Sequence, residues 1–151
     1  MKIWIDADAL PGQIKEIILK AAFKRKIETI FVSNKFVSLP TSDFFYFIQV
    51  DKGADVADDY IAEKAEPNDI VITQDIPLAA RLVPNDVVVI SFHGKLFTHN
   101  NIGELLSIRN MMQEFRDTGV QTGGPKPYSD KNKQQFANTF DQQLFKLSKD
   151  L

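Results

Sequence analysis

Asp6 and Asp8 close the first apolar run of the chain, Ile3-Trp4-Ile5, and are spaced by two. That spacing sets both side chains on one side of an extended strand. A later run, Val71-Ile72-Thr73, is followed by Gln74 and then by another acid, Asp75. Between them lies Asp55-Val56-Ala57-Asp58-Asp59, where a helix would put positions 55, 58 and 59 on a shared face. Taken singly, most of these acids have an ordinary explanation. Asp75 suits a helix N-cap, worth about 1 kcal/mol. Asp58 and Asp59 suit the first turns of a helix, next to its positive end. Asp8 fits as a polar residue just ahead of a helix. Asp6 resists such a reading, because it continues a buried strand where an unpaired charge is costly. Taken together, the acids repel: two carboxylates ~5 Å apart at an effective dielectric of about 20 cost roughly 3 kcal/mol. A divalent cation among them reverses the sign. Mg²⁺ and Mn²⁺ prefer oxygen ligands, and Mg²⁺ keeps several waters. Such ions polarise a phosphodiester, lower the pKa of a water and stabilise a leaving oxygen.

The elements that must position these acids follow from the apolar pattern. Residues 2–6 read as a buried strand. Pro11 opens a helix to about Lys26, with Ile14, Ile17, Ile18, Ala21 and Ala22 in one stripe and Lys24-Arg25-Lys26 at its negative end. Residues 27–33 make a second strand, and 34–42 a loop broken at Pro40. Residues 44–50, Phe-Phe-Tyr-Phe-Ile-Gln-Val, are apolar enough for a third strand covered on both faces. No basic residue interleaves with those aromatics, which favours core over a base-stacking platform. A helix is expected from about Asp55 to Ala65, then a strand over 70–73. Asp75 then caps a short helix with Pro77 in its first turn, and a fifth strand covers 87–91. Gly94 marks a turn. A long amphipathic helix over 101–116 carries Ile102, Leu105, Leu106, Ile108, Met112 and Phe115. Residues 122–127, Thr-Gly-Gly-Pro-Lys-Pro, must be irregular, and a last helix from about Asp130 to Leu147 presents Phe136, Phe140, Leu144 and Leu147. Strands alternating with helices imply an α/β fold with right-handed crossovers and a largely parallel sheet. Sites in such sheets form at the carboxyl ends of the strands, near a topological switch point. Asp6, Asp8 and Asp75 fall there.

Composition narrows the function. The chain has 151 residues, 44% of them apolar, enough for one domain with a real core and too few for two ordinary ones. It has no cysteine, which excludes disulfides, thiolate zinc sites and thiol catalysis and fits a reducing cytoplasm. Met1-Lys2 runs straight into strand residues, so no signal peptide is expected. No apolar stretch approaches the ~18 residues of a membrane span, so a membrane partner is not expected. The net charge of −2 lacks the basic surplus of duplex-DNA binders. A metal-dependent nuclease can still be acidic, because its metals supply positive charge. His93 and His99 are too isolated for a metal pair. Ser33 has no evident His base, which argues against acyl transfer. Gly123-Gly124 reads as a hinge rather than a phosphate cradle, since no helix N-terminus follows directly. Homo-oligomerisation is open on the sequence.

The segments Ile5-Asp6-Ala7-Asp8-Ala9, Val56-Ala57-Asp58, Val71-Ile72-Thr73-Gln74-Asp75-Ile76-Pro77-Leu78-Ala79-Ala80 and Thr122-Gly123-Gly124-Pro125 resemble the YaiI/YqxD family, bacterial proteins with a PIN-like domain. The resemblance covers nearly the whole chain. It implies one PIN-like domain over 1–151, with a core to about residue 117 and the Gly-Gly-Pro loop and C-terminal helix as an extension. PIN-like folds include metal-dependent nucleases, whose acids follow the first strand, sit in a central helix and follow a later strand. Asp6, Asp58 or Asp59, and Asp75 match those places. The combined expectation is a divalent-metal-dependent phosphodiester hydrolase acting on RNA before DNA, with water rather than a side chain as nucleophile. Asp6, Asp8, Asp58, Asp59 and Asp75 would hold Mg²⁺ or Mn²⁺, and all but Asp8 would be catalytic. Thr73, Arg81, Arg109 and Lys126 are candidate substrate contacts. Two other readings stay open. Asp-x-Asp after a first strand also resembles haloacid-dehalogenase-type phosphatases, with Asp6 as nucleophile and Asp8 as general acid, although Ala9-Leu10 departs from that pattern. The other is a non-catalytic RNA- or partner-binding module that keeps the acidic pocket.

Overall fold

The computed structural model describes residues 1–53, 55–119 and 127–148. Five short apolar runs become parallel strands: β1 (Ile3–Asp6), β2 (Thr29–Ser33), β3 (Phe45–Gln49), β4 (Ile70–Ile72) and β5 (Val88–Ile90). A two-residue β6 (Leu96–Phe97) returns antiparallel to β5. The order across the sheet is β3-β2-β1-β4-β5-β6. The chain thus steps outward from β1 through β2 to β3, then re-enters on the other side of β1 as β4. The direction of winding reverses between β1 and β4, and a crevice opens beyond their carboxyl ends. The helices are α1 (Gly12–Arg25), α2 (Val56–Lys64), α3 (Ile76–Leu82), α4 (Ile102–Asp117) and α5 (Asp130–Ser148), with a 3₁₀ turn at Val83–Asn85.

Alternation along the strands divides the core into two layers. Ile3, Ile5, Phe31, Ile70 and Ile72 pack with Ile14 and Ile18 of α1 and with Phe136, Phe140 and Leu144 of α5. Trp4, Ile30, Val32 and Val71 pack on the other face with Ala57 and Ile61 of α2 and Leu78 and Leu82 of α3. The i, i+4, i+8, i+11 spacing of Phe136, Phe140, Leu144 and Leu147 gives α5 its buried stripe. Full burial of each such side chain contributes about 1.5–3 kcal/mol. Parity carries function too. Asp6 follows Trp4 by two, so it lies on the α2 face of the sheet.

The structure corrects several expectations. β3 lies at the edge of the sheet, with none of its residues buried and Tyr46 exposed. Its aromatic run covers a half-wet margin rather than a centre. The long helix α4 has no buried residue and exposes Ile108, Met111 and Phe115. Only Ile102 and Leu105, at its start, reach the α3 layer. β6 gives no periodic signal at two residues. It is set up by Gly94, whose φ of 86° turns the chain back. The Gly-Gly-Pro segment and Lys126 lie outside the described residues. Among those described, no helix is long and apolar enough to cross a membrane.

Candidate metal centre

β1 delivers Asp6 to the crevice, and the turn after β4 delivers Thr73, Gln74 and Asp75. Thr73 is fully buried, and its hydroxyl is used twice. It donates to Asp6 Oδ2 at 2.9 Å and accepts from the Asp75 N–H at 3.0 Å. One side chain therefore sets the spacing between two acids that lie 69 positions apart in sequence. Asp75 caps α3, with Oδ1 accepting from the Leu78 N–H at 2.8 Å. The cap leaves its other oxygen available to the crevice. α2 brings Asp58 from the facing side. Asp55 stands at the N-cap of α2 in a left-handed conformation, φ 69°, and its side chain makes no capping bond. Aspartate tolerates that region better than most residues, and Lys26, Asn68 and Asp86 adopt it elsewhere in the fold.

One carboxylate oxygen from each of Asp55, Asp58 and Asp75 lies within 4.8 Å of the other two. They line a cleft of about 250 Å³ together with Asp6, Asp8 and Gln74. Asp8 is anchored beside them, with Oδ1 accepting from the Ser33 hydroxyl at 2.6 Å and the Asn34 N–H at 2.9 Å. The electrostatic cost shows in the acids themselves. Burial, a hydrogen bond to Asp75 and the charges of Asp75, Asp6 and Asp55 push Asp58 up to about 8. Asp58 therefore holds a proton at neutral pH in the metal-free protein. Burial also raises Asp6; the Thr73 bond opposes this, and the charges of Asp8 and Asp75 add to it. Three hard oxygen donors at this separation fit a divalent cation such as Mg²⁺ or Mn²⁺.

The structure brings together Asp6, Asp8, Asp58 and Asp75 from the expected set and separates Asp59. One helical step turns Asp59 outward, where Arg81 binds its Oδ1 at 2.6 Å on an exposed surface. Asp55 takes the place expected for Asp59. Thr73 has no free hydroxyl for a substrate, because both its roles are filled within the protein. Arg81 is held by Asp59, and Arg109 extends from exposed α4 next to Asn110. Neither lines the acidic cleft. Sequence reasoning missed Gln74 and the positioning role of Ser33. A polar residue between Thr73 and Asp75 was the available signal for Gln74, and Ser33 carried none.

The same segments match, over residues 4–146, a family described as "Uncharacterized BCR, YaiI/YqxD family". The chain belongs to the YaiI/YqxD family. A UPF0178 protein of Myxococcus xanthus is 52% identical over 149 residues, covering 99% of this chain and 97% of its own length. UPF0178 proteins of Desulfotalea psychrophila and Syntrophobacter fumaroxidans are 52% and 48% identical and match at least 97% of this chain. No solved structure matches. Membership of YaiI/YqxD covers the strands, α2 and α5 alike, so the acids belong to the matched region and not to an appended segment.

Proposed function

We propose that this YaiI/YqxD protein is a divalent-metal-dependent phosphodiester hydrolase of PIN-like type, acting on RNA in preference to DNA. The convergence of Asp55, Asp58 and Asp75 beside Asp6, at the switch point of a parallel sheet, carries the reading. Asp55, Asp58 and Asp75 would hold Mg²⁺ or Mn²⁺, with Asp6 and Asp8 completing the negative wall. When bound, the cation supplies positive charge for a phosphate and acidifies water. The protein's own contribution is positional. Thr73 fixes Asp6 and the Asp75 backbone, Ser33 fixes Asp8, and Asp58 must surrender its proton to solvent before it can act as a ligand. Its pKa of about 8 makes the site more competent as pH rises through neutrality. No Ser, Cys or His lines the cleft among the described residues, so water is the nucleophile of this reading.

A Mn²⁺-dependent assay on single-stranded RNA tests it. Asp6→Asn, Asp58→Asn and Asp75→Asn should each lower cleavage by about 10² or more, the scale of losing one charge-stabilising group. Asp59→Asn should cut nearly as well as wild type, because Asp59 faces Arg81. Trapping a phosphoryl group on Asp6 would instead support the dehalogenase-type phosphatase.

A further inference from the structure

We propose that the groove between the β5–β6 turn and α5 binds the single-stranded RNA flank that leaves the acidic cleft; this rests on the hydrolase reading above. His93, Gly94 and Lys95 form one wall. Gln135, Asn138 and Thr139 form the other, from one face of α5. The groove encloses about 520 Å³. Its walls are fastened to each other. A Cβ placed on Gly94 would lie 2.5 Å from the Gln135 carbonyl carbon and oxygen, so backbone rests on backbone there. The Thr139 hydroxyl donates to the Gly94 carbonyl at 2.6 Å.

One hydrogen-bonded side chain links the cleft to the groove. Gln74 lines the acidic cleft. Its Oε1 accepts from the Phe92 N–H at 2.6 Å, and its Nε2 lies 3.0 Å from His93 Nδ1, which accepts that bond. The amide is thus held at both ends. The His93 ring in turn lies 5.6 Å from the Tyr128 ring, and the Tyr128 hydroxyl donates to the Phe92 carbonyl. Beyond the groove, Asn138 also lines a further depression with Arg25. Arg25 is held there by Asp141 at 3.2 Å, so it adds no free charge. Polar side chains therefore run from Asp75 past Gln74 and His93 to Lys95 and Asn138.

The chemistry of the groove differs from that of the cleft. No carboxylate lines the groove, and Lys95 has no ion-pair partner among the described residues. An unpaired ammonium suits a phosphate. The Gln135 and Asn138 amides offer both donors and acceptors to exposed base edges and 2′-hydroxyls. The His93–Tyr128 ring pair offers an aromatic face to an unstacked base. A duplex buries the edges and faces that these groups would read. A single strand presents them. Gln74 and His93 would act as positioning residues, ordering the nucleotide next to the scissile phosphate.

Fluorescence anisotropy with a labelled single-stranded RNA of about ten nucleotides, a length in the range of single-strand sites, tests the proposal in EDTA, where nothing is cut. Lys95→Glu should weaken binding about tenfold and flatten its salt dependence, as expected for losing a phosphate contact. Asn138→Asp should weaken it in the same direction. Asp6→Asn should bind at least as tightly as wild type. Wild-type affinity in both Lys95→Glu and Asn138→Asp would overturn the groove. Displacement of the RNA by a polyglutamate of equal charge, as effectively as by unlabelled RNA, would also overturn it and point to a protein partner. Cleavage is read separately: a protein that binds RNA through the groove yet never cuts in Mn²⁺ overturns the hydrolase reading and leaves the groove standing.

Discussion

Asp58 and Asp69 show two ways in which a folded chain keeps a carboxylate away from bulk water. Asp69 is buried and fully partnered: it accepts from the Lys2 and Glu66 N–H groups and from Trp4 Nε1. It ties the start of β1 to the turn before β4, at the end of the sheet remote from the acids. Asp69→Ala strands the Trp4 indole N–H and should cost about 3 kcal/mol by denaturant melts. Asp58 faces other acids instead. Its folded pKa of about 8 stands above the unfolded value of 3.8. Between those values the folded protein holds a proton that the unfolded chain has released. The stabilisation is complete below pH 3.8 and drains away as pH rises towards about 8. Asp58→Asn keeps the neutral form at every pH. In EDTA it should therefore melt higher than wild type at pH 8 and show little difference at pH 4. A mutant that melts lower at pH 8 would mean that the Asp58 carboxylate is a stabilising partner. Asp6 and Asp75 were legible in the sequence because acids that follow apolar runs stand out, and Asp58 because helical spacing puts it on a face with neighbouring acids. Asp69 and Gln74 were not, because their partners lie far along the chain or on the next turn, and hydrogen bonds of that kind leave no periodic trace.

At the scale of elements, helical and strand periods located all five parallel strands and all five helices. Asp75 was correctly placed at the N-cap of α3 by the proline that follows. The failures share one cause. Apolar content predicts that a segment is covered, but not by what. β3 has the composition of a central strand and lies at the edge, and α4 has a stripe that mostly meets solvent. The contrast between α4 and α5 is measurable. Leu144→Ala on α5 removes a fully buried side chain and should cost about 3 kcal/mol. Phe115→Ala on α4, where the ring is 43% exposed, should change stability by about 0.5 kcal/mol or less. Equal losses at the two positions would mean that α4 is packed in solution.

Across the whole molecule, charge and topology act together. The winding of the sheet gathers its acids into one crevice, while the groove towards α5 carries Lys95 and no carboxylate. The net charge of −2 is therefore unevenly spread between the two. Long duplex DNA without metal should bind weakly at physiological salt, since few phosphates can be neutralised at once. Tight metal-free duplex binding in a filter assay would contradict that distribution. The most direct test of the central claim is calorimetric titration with Mn²⁺ at pH 7, repeated in buffers of different ionisation enthalpy. The acids of the cleft predict binding with release of about one proton per ion, because Asp58 must deprotonate to become a ligand. Asp58→Asn should bind more weakly and release almost none. Equal affinity and equal proton release in the two proteins would contradict a metal centre built on these acids.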